Sequence, residues 1–221
     1  MTLPNISIAS PEYAGFEELE PLTPLLRHLM PIVPELPHSM ALDMLRQKYT
    51  DFARRTRILQ TELPIQYQAG VRDYQLEAPD GYCIHMIMGV EEPRSPNPWY
   101  WYGEGYGHFR QQLAYDIIDN NIIRLRHTPS TDRPCGIRVL VVLLPLPSVS
   151  MAPTSILVPY GLPLARGVTA DALLIPNKPW TNGELARVYA QQYERAVLNG
   201  RALAGSNRKV QSQDMKPVRI V

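Results

Sequence analysis

The sequence predicts an α+β fold, and three observations on its 221 residues carry that expectation. Apolar residues recur at helical spacing over 38–57. Short alternating segments separated by turn signals fill 58–153, and helical spacing returns over 154–205. The layout is one N-terminal helix, an inserted antiparallel β-domain and two C-terminal helices. Extended arms are expected at 1–37 and 206–221.

The first arm carries Pro4, Pro11, Pro21, Pro24, Pro31, Pro34 and Pro37, and it is expected to hold at most one helical turn, around 23–30. It is acidic, with Glu12, Glu17, Glu18, Glu20 and Glu35 against Arg27. Ser39 is the expected N-cap of the first helix. Ala41, Leu42, Leu45, Tyr49, Phe52, Ala53 and Thr56 form its inner stripe, and it ends near Arg57.

Strand signals follow. Ala69-Gly70 and Pro79-Asp80-Gly81 mark turns. In the strand from Tyr82 to Val90, alternation places Tyr82, Ile84, Met86 and Met88 on one face and Cys83, His85 and Ile87 on the other. The stretch 93–110 is an aromatic, glycine-spaced loop built on Trp99, Tyr100, Trp101, Tyr102 and Tyr106. Asp119-Asn120-Asn121 between isoleucine pairs reads as a tight hairpin, because Asn tolerates positive φ. Ile137 to Leu144 is a buried strand.

In the last third, Pro163 is expected to break or kink a helix over 154–175. Thr181 with Glu184 fits a capping box. The helix it opens runs to about Ala204, with Leu185, Val188, Tyr189, Gln192, Ala196, Asn199 and Leu203 inward. From Arg201 onward five basic residues stand against Asp214, so the two arms carry opposite charge. The final six residues, Lys216 to Val221, alternate apolar and polar, which suits an extended segment that adds to a partner's strand edge.

Composition narrows the function classes. A formal net charge of +1 gives no bulk argument for nucleic acid or anionic membrane. The longest apolar stretch, Val139 to Leu144, is too short to span a bilayer. No basic region precedes an apolar run at the N-terminus, so a reducing compartment with Cys83 and Cys135 as free thiols is expected. No phosphate-cradling loop, nucleophile elbow or zinc-helix motif occurs. Cys83 and His85, with His127 and Cys135, fall short of a metal set unless the fold gathers them. Asp116 and Asp119 are three apart in a strand and face opposite sides, which argues against a paired acid–base site. No catalytic residue, metal ligand or cofactor is expected. The aromatic loop lacks a phosphate-tracking basic stripe, so a protein contact is preferred to nucleic acid.

Two stretches resemble a known family. One is Asp51 to Ile58 with the Gln68 to Leu76 and Pro79-Asp80-Gly81 segments that follow. The other is Ile175 to Asn182, with Tyr189 and Tyr193 in the next helix. Their order over about 39–205 resembles the head-to-tail adaptor (connector, or collar) proteins of short-tailed phages. Ile58 and Leu59 stand where that family has an aromatic, and Asn177 stands where it has a glycine.

The resemblance implies a helical bundle, made of 38–57 and 154–205, with a β-domain over 58–153 attached. It also implies a structural, non-enzymatic protein of the virion neck, assembled in the host cytoplasm. Such adaptors form homo-oligomeric rings, usually of twelve subunits, between a portal ring and a tail nozzle or tube. DNA passes through the lumen without specific binding, and no membrane is involved.

On that reading Arg208, Lys209, Met215, Lys216, Pro217, Val218, Arg219, Ile220 and Val221 are the expected portal contacts. Trp99, Tyr100, Trp101, Tyr102 and Tyr106 are the expected tail contacts, and Arg187, Glu194, Arg195 and Arg201 the expected subunit interface. The alternative is a tail or capsid decoration protein, which would not need the two C-terminal helices.

Overall fold

The computed structural model describes residues 18–93, 110–119, 121–130 and 132–212. The fold is mixed α and β, and every strand pairing in it is antiparallel.

The segment 18–37 is not a free arm. Strand β1 (Leu19–Pro21) pairs with β9 (Met151–Pro153), and a 3-10 helix follows at Thr23–His28. Leu22, Leu26, Leu29, Val33 and Leu36 recur three or four residues apart and are all buried. The prolines prevent a continuous α-helix, but they do not remove this apolar stripe, and burial of the stripe decides the outcome.

Helix α1 (His38–Thr56) buries Ala41, Leu45, Tyr49, Phe52, Ala53 and Thr56, as the spacing predicts. Its N-cap position is held by Pro37 with no side-chain cap, two residues before the expected Ser39 cap. It ends at Arg57, whose φ of 56° is left-handed and whose N–H donates to the Ala53 carbonyl at 2.9 Å.

A four-stranded sheet has the order β2-β8-β4-β5, with β2 at Gln60–Tyr67, β4 at Tyr82–Pro93, β5 at Arg110–Gln112 and β8 at Arg133–Pro145. The central strand β8 buries Ile137, Val139, Val141, Val142, Leu143 and Leu144, and α1 packs on it. Edge strand β2 contains Pro64, which fits a strand whose outer side is free of ladder bonds among the described residues. Register shifts in β4 between Ile84 and Met86 and between Ile87 and Gly89 break the expected alternation. Tyr82, Ile84 and Ile87 all face inward, while Cys83 and His85 are exposed.

A second sheet has the order β3-β7-β6, from Asp73–Gln75, Ile122–Leu125 and Tyr115–Asp119. The β6–β7 pair forms as the asparagine turn predicts. Arg124 holds Asp73, and Arg126 holds Asp116, on the exposed side.

Helix α2 (Thr154–Leu173) runs unbroken through Pro159 and Pro163. Most of its apolar residues, among them Ile156, Leu157, Tyr160, Leu164 and Val168, are buried, and it packs on β9, the 3-10 helix, α1 and a third helix, so packing outweighs two missing backbone bonds. The third helix, α3, spans Gly183–Ser212, two turns beyond the expected end. The cap is Asn182, whose Oδ1 accepts the Leu185 N–H at 3.0 Å. Thr181, the expected cap, instead donates to the Ile175 carbonyl at 2.6 Å and accepts the Lys178 N–H at 3.2 Å.

The same connector satisfies the end of α2. The Asn182 N–H reaches the Leu173 carbonyl at 3.0 Å, and the Trp180 indole reaches the Ala172 carbonyl at 3.2 Å.

Candidate assembly surface

Helices α1, α2 and α3 each pack on the other two. The inward face of α3 is built from small residues and one large one. Ala186, Tyr193, Ala196, Val197, Gly200 and Ala204 are buried; of the expected stripe Ala196 is among them and Leu185, Tyr189 and Gln192 are partly buried, whereas Val188, Asn199 and Leu203 are exposed. Small side chains let the helices approach closely, so the true seam is weakly hydrophobic by composition and was missed by counting large residues.

Tyr193 is the hub of that seam. An added Cβ on Gly167 of α2 would lie 2.8 Å from the Tyr193 ring and 3.1 Å from Cδ of Lys48, so only glycine fits there. The Tyr193 hydroxyl donates to Asp51 Oδ2 at 2.8 Å. Lys48 and Arg55 of α1 lie over its ring, 4.9 and 5.9 Å from the centroid.

The cations are paired in turn. Lys48 Nζ is 2.6 Å from Asp171 of α2, while Arg55 grips Glu194 of α3 with both guanidinium nitrogens, one at 2.7 Å. Burial, then the bond to Asp51, pushes the Tyr193 phenol well above its ordinary range. The Arg55 hydrogen bonds hold the Glu194 carboxyl below the usual carboxylate range.

This places the four residues expected at a subunit interface. Glu194 is paired within the chain, where it ties α3 to α1, and its side chain stays half-exposed. Arg187, Arg195 and Arg201 are exposed and form no ion pair among the described residues. Exposed apolar side chains share these helices: Val188, Leu198 and Leu203 on α3, and Val158 and Leu162 on α2, with Val158 78% exposed.

The expected tail contacts Trp99, Tyr100, Trp101, Tyr102 and Tyr106 lie outside the described residues, as do Met215, Lys216, Pro217, Val218, Arg219, Ile220 and Val221. Arg208 and Lys209 belong to the last turns of α3 rather than to a tail.

Among the described residues no three His, Cys, Asp or Glu side chains gather as a metal site would require. His85 is held neutral to lower pH by desolvation and by the nearby Arg54 and Arg57 charges. A shallow cleft lined by Met44, Gln47, Lys48, Asp51 and Asp171 adjoins the hub, and its charged members are already paired with one another or with Tyr193. No described helix is long and apolar enough to cross a membrane. The chain matches no family model and no curated sequence.

Proposed function

We propose that this chain is a structural subunit of a phage neck, a head-to-tail adaptor. Its three helices form a helical bundle that packs side by side with copies of itself into a ring between portal and tail. A ring contact joins two different faces of one subunit and closes by rotation. The open apolar positions and unpaired arginines on α2 and α3 supply such a face. A near-neutral chain suits a conduit, because strong phosphate neutralisation would hold DNA instead of letting it slide.

The observation that carries the reading is where the family-like stretches fall. Arg57 closes the first stretch in a left-handed conformation, and Gly70 and Gly81 supply positive φ at its two turns. Asn177 has φ of 60° at the position where the family carries glycine, and Asn is among the few other residues that tolerate it. These stretches therefore occupy the joints between elements, which is where a shared architecture constrains sequence most tightly.

The test is the solution mass by light scattering, alone and with the portal ring. The 25.1 kDa chain is expected to assemble into a ring, more tightly when the portal is present. A monomer that ignores the portal refutes the proposal and returns the decoration-protein alternative.

A further inference from the structure

The first three turns of α2 present a surface unlike an ordinary solvated helix face. From Thr154 to Ala165 there is no charged residue. Ser155, Val158, Pro159 and Leu162 are exposed there, Val158 at 78% and Leu162 at 41%. A helix face that meets water normally carries charge. The neighbouring ladder adds Leu19 at 40% and Met151 at 42% exposed. Leu19 pairs with Pro153, the residue before α2, and the Thr154 N–H donates to the Glu18 carbonyl at 2.9 Å. The open apolar positions of the ladder and of the helix therefore adjoin.

The described chain begins at this place. Residues 1–17 precede Glu18, and their composition matches the open face: Leu3, Ile6, Ile8, Tyr13 and Phe16, with Glu12 and Glu17 as the charged members. Extended, seventeen residues reach about 55–60 Å. The face from Ser155 to Leu162 is only about 10 Å long at helical rise. Pro4 and Pro11 oppose compaction of the segment into a helix beside its own root. A segment this long, rooted at the edge of the patch, is matched to the same patch on an adjacent copy.

We infer that residues 3–16 of one subunit lie across the Val158–Leu162 face of its neighbour, so that each copy in a ring lends an arm and receives one. The inference rests on the ring reading and names the contact that closes it. Arm exchange suits assembly because an extended apolar segment becomes ordered only when a neighbour offers its groove, and repetition around the ring multiplies weak contacts.

The experiment uses the full chain with Cys83→Ser and Cys135→Ser, carrying Ile8→Cys together with Val158→Cys. After mild oxidation in the presence of the portal ring, non-reducing denaturing electrophoresis is expected to show covalent dimers and a ladder of higher multimers. A link confined to monomers shows that the arm covers its own helix and overturns the inference, as does no link in material that light scattering shows to be assembled. Either result leaves the ring reading standing, whereas absence of assembly removes both. In the otherwise native chain, Val158→Asp is expected to leave the circular dichroism spectrum unchanged, since the side chain is open in the single subunit, and to weaken self-association at least tenfold. Assembly as tight as wild type would also overturn the inference.

Discussion

Gly167→Ala tests whether the three helices are locked through Tyr193. In an unobstructed helix interior, replacing glycine by alanine is favourable by about 1 kcal/mol. Here the new Cβ would stand 2.8 Å from Cδ2 and 3.0 Å from Cγ of Tyr193, and 3.1 Å from Cδ of Lys48. Cγ is the root of the ring, so no rotation of a flexible end removes the contact. The ring or the helix must shift. Overpacking of this kind costs about 1–3 kcal/mol. A shift that loosens the 2.8 Å bond to Asp51 adds about 1–2 kcal/mol.

Against the propensity gain, a net loss of about 2 kcal/mol is expected, or about 4–8 °C in Tm for a chain of this size. Gly205→Ala is the internal control, because nothing lies within 4 Å of its added Cβ, and it should raise Tm by about 2–4 °C. Thermal unfolding followed by far-ultraviolet circular dichroism measures both. If Gly167→Ala stabilises as Gly205→Ala does, the seam is looser than described and Tyr193 is not its hub.

Two further expectations concern charge. The Glu194 carboxyl has a folded pKa below its unfolded value near 4.3, so its contribution is fully present above that value and is lost as pH falls through the lower folded pKa. The pair is half-exposed, so a double-mutant cycle with Arg55→Gln and Glu194→Gln at pH 7 should give a coupling of only about 0.2–1 kcal/mol; a Glu194 carboxyl that titrates by NMR at or above the ordinary glutamate value would contradict the assignment. His85 should titrate below about 6.5 by NMR, mainly from desolvation and secondarily from Arg54 and Arg57. Arg54→Gln with Arg57→Gln should raise that pKa, and no movement would mean that the arginines do not face the imidazole.

The helices were legible because large apolar residues recur at the right period, as at Leu45, Tyr49 and Phe52 in α1. The inner face of α3 was legible only in part, at Leu185, Tyr189 and Ala196, because alanine and glycine carry its deepest contacts and pattern-reading weighs bulk. The 18–37 segment misled for the opposite reason, since its prolines hid the spacing from Leu22 to Leu36. Pro163 misled by its local rule, because the surrounding burial of α2 compensates for the lost backbone bond. In β4 two bulges reverse the alternation after Ile84, and no single residue there announces them. Of the expected contact residues, Arg187, Arg195 and Arg201 are exposed, and the pairing of Glu194 with Arg55, a partner far away in sequence, could not be read from spacing.

The central position of β8 has a consequence for how the chain is made. Among the described residues, strand β2 pairs with β8 alone, and β4 meets only β8 and β5. As the chain leaves the ribosome, β2 is complete at Tyr67, yet its partner is not finished until Pro145. At a synthesis rate of about 5–20 residues per second that interval is on the order of ten seconds. During it β2 has a bare edge on both sides, and a neighbouring nascent chain is as near as its own unfinished strand. Pro64, in the middle of that strand, removes one donor from the waiting edge and makes the wrong pairing less favourable. A residue that looks like a blemish in the finished sheet thus acts before the sheet exists, as a brake on mispairing while the last strand is still being translated.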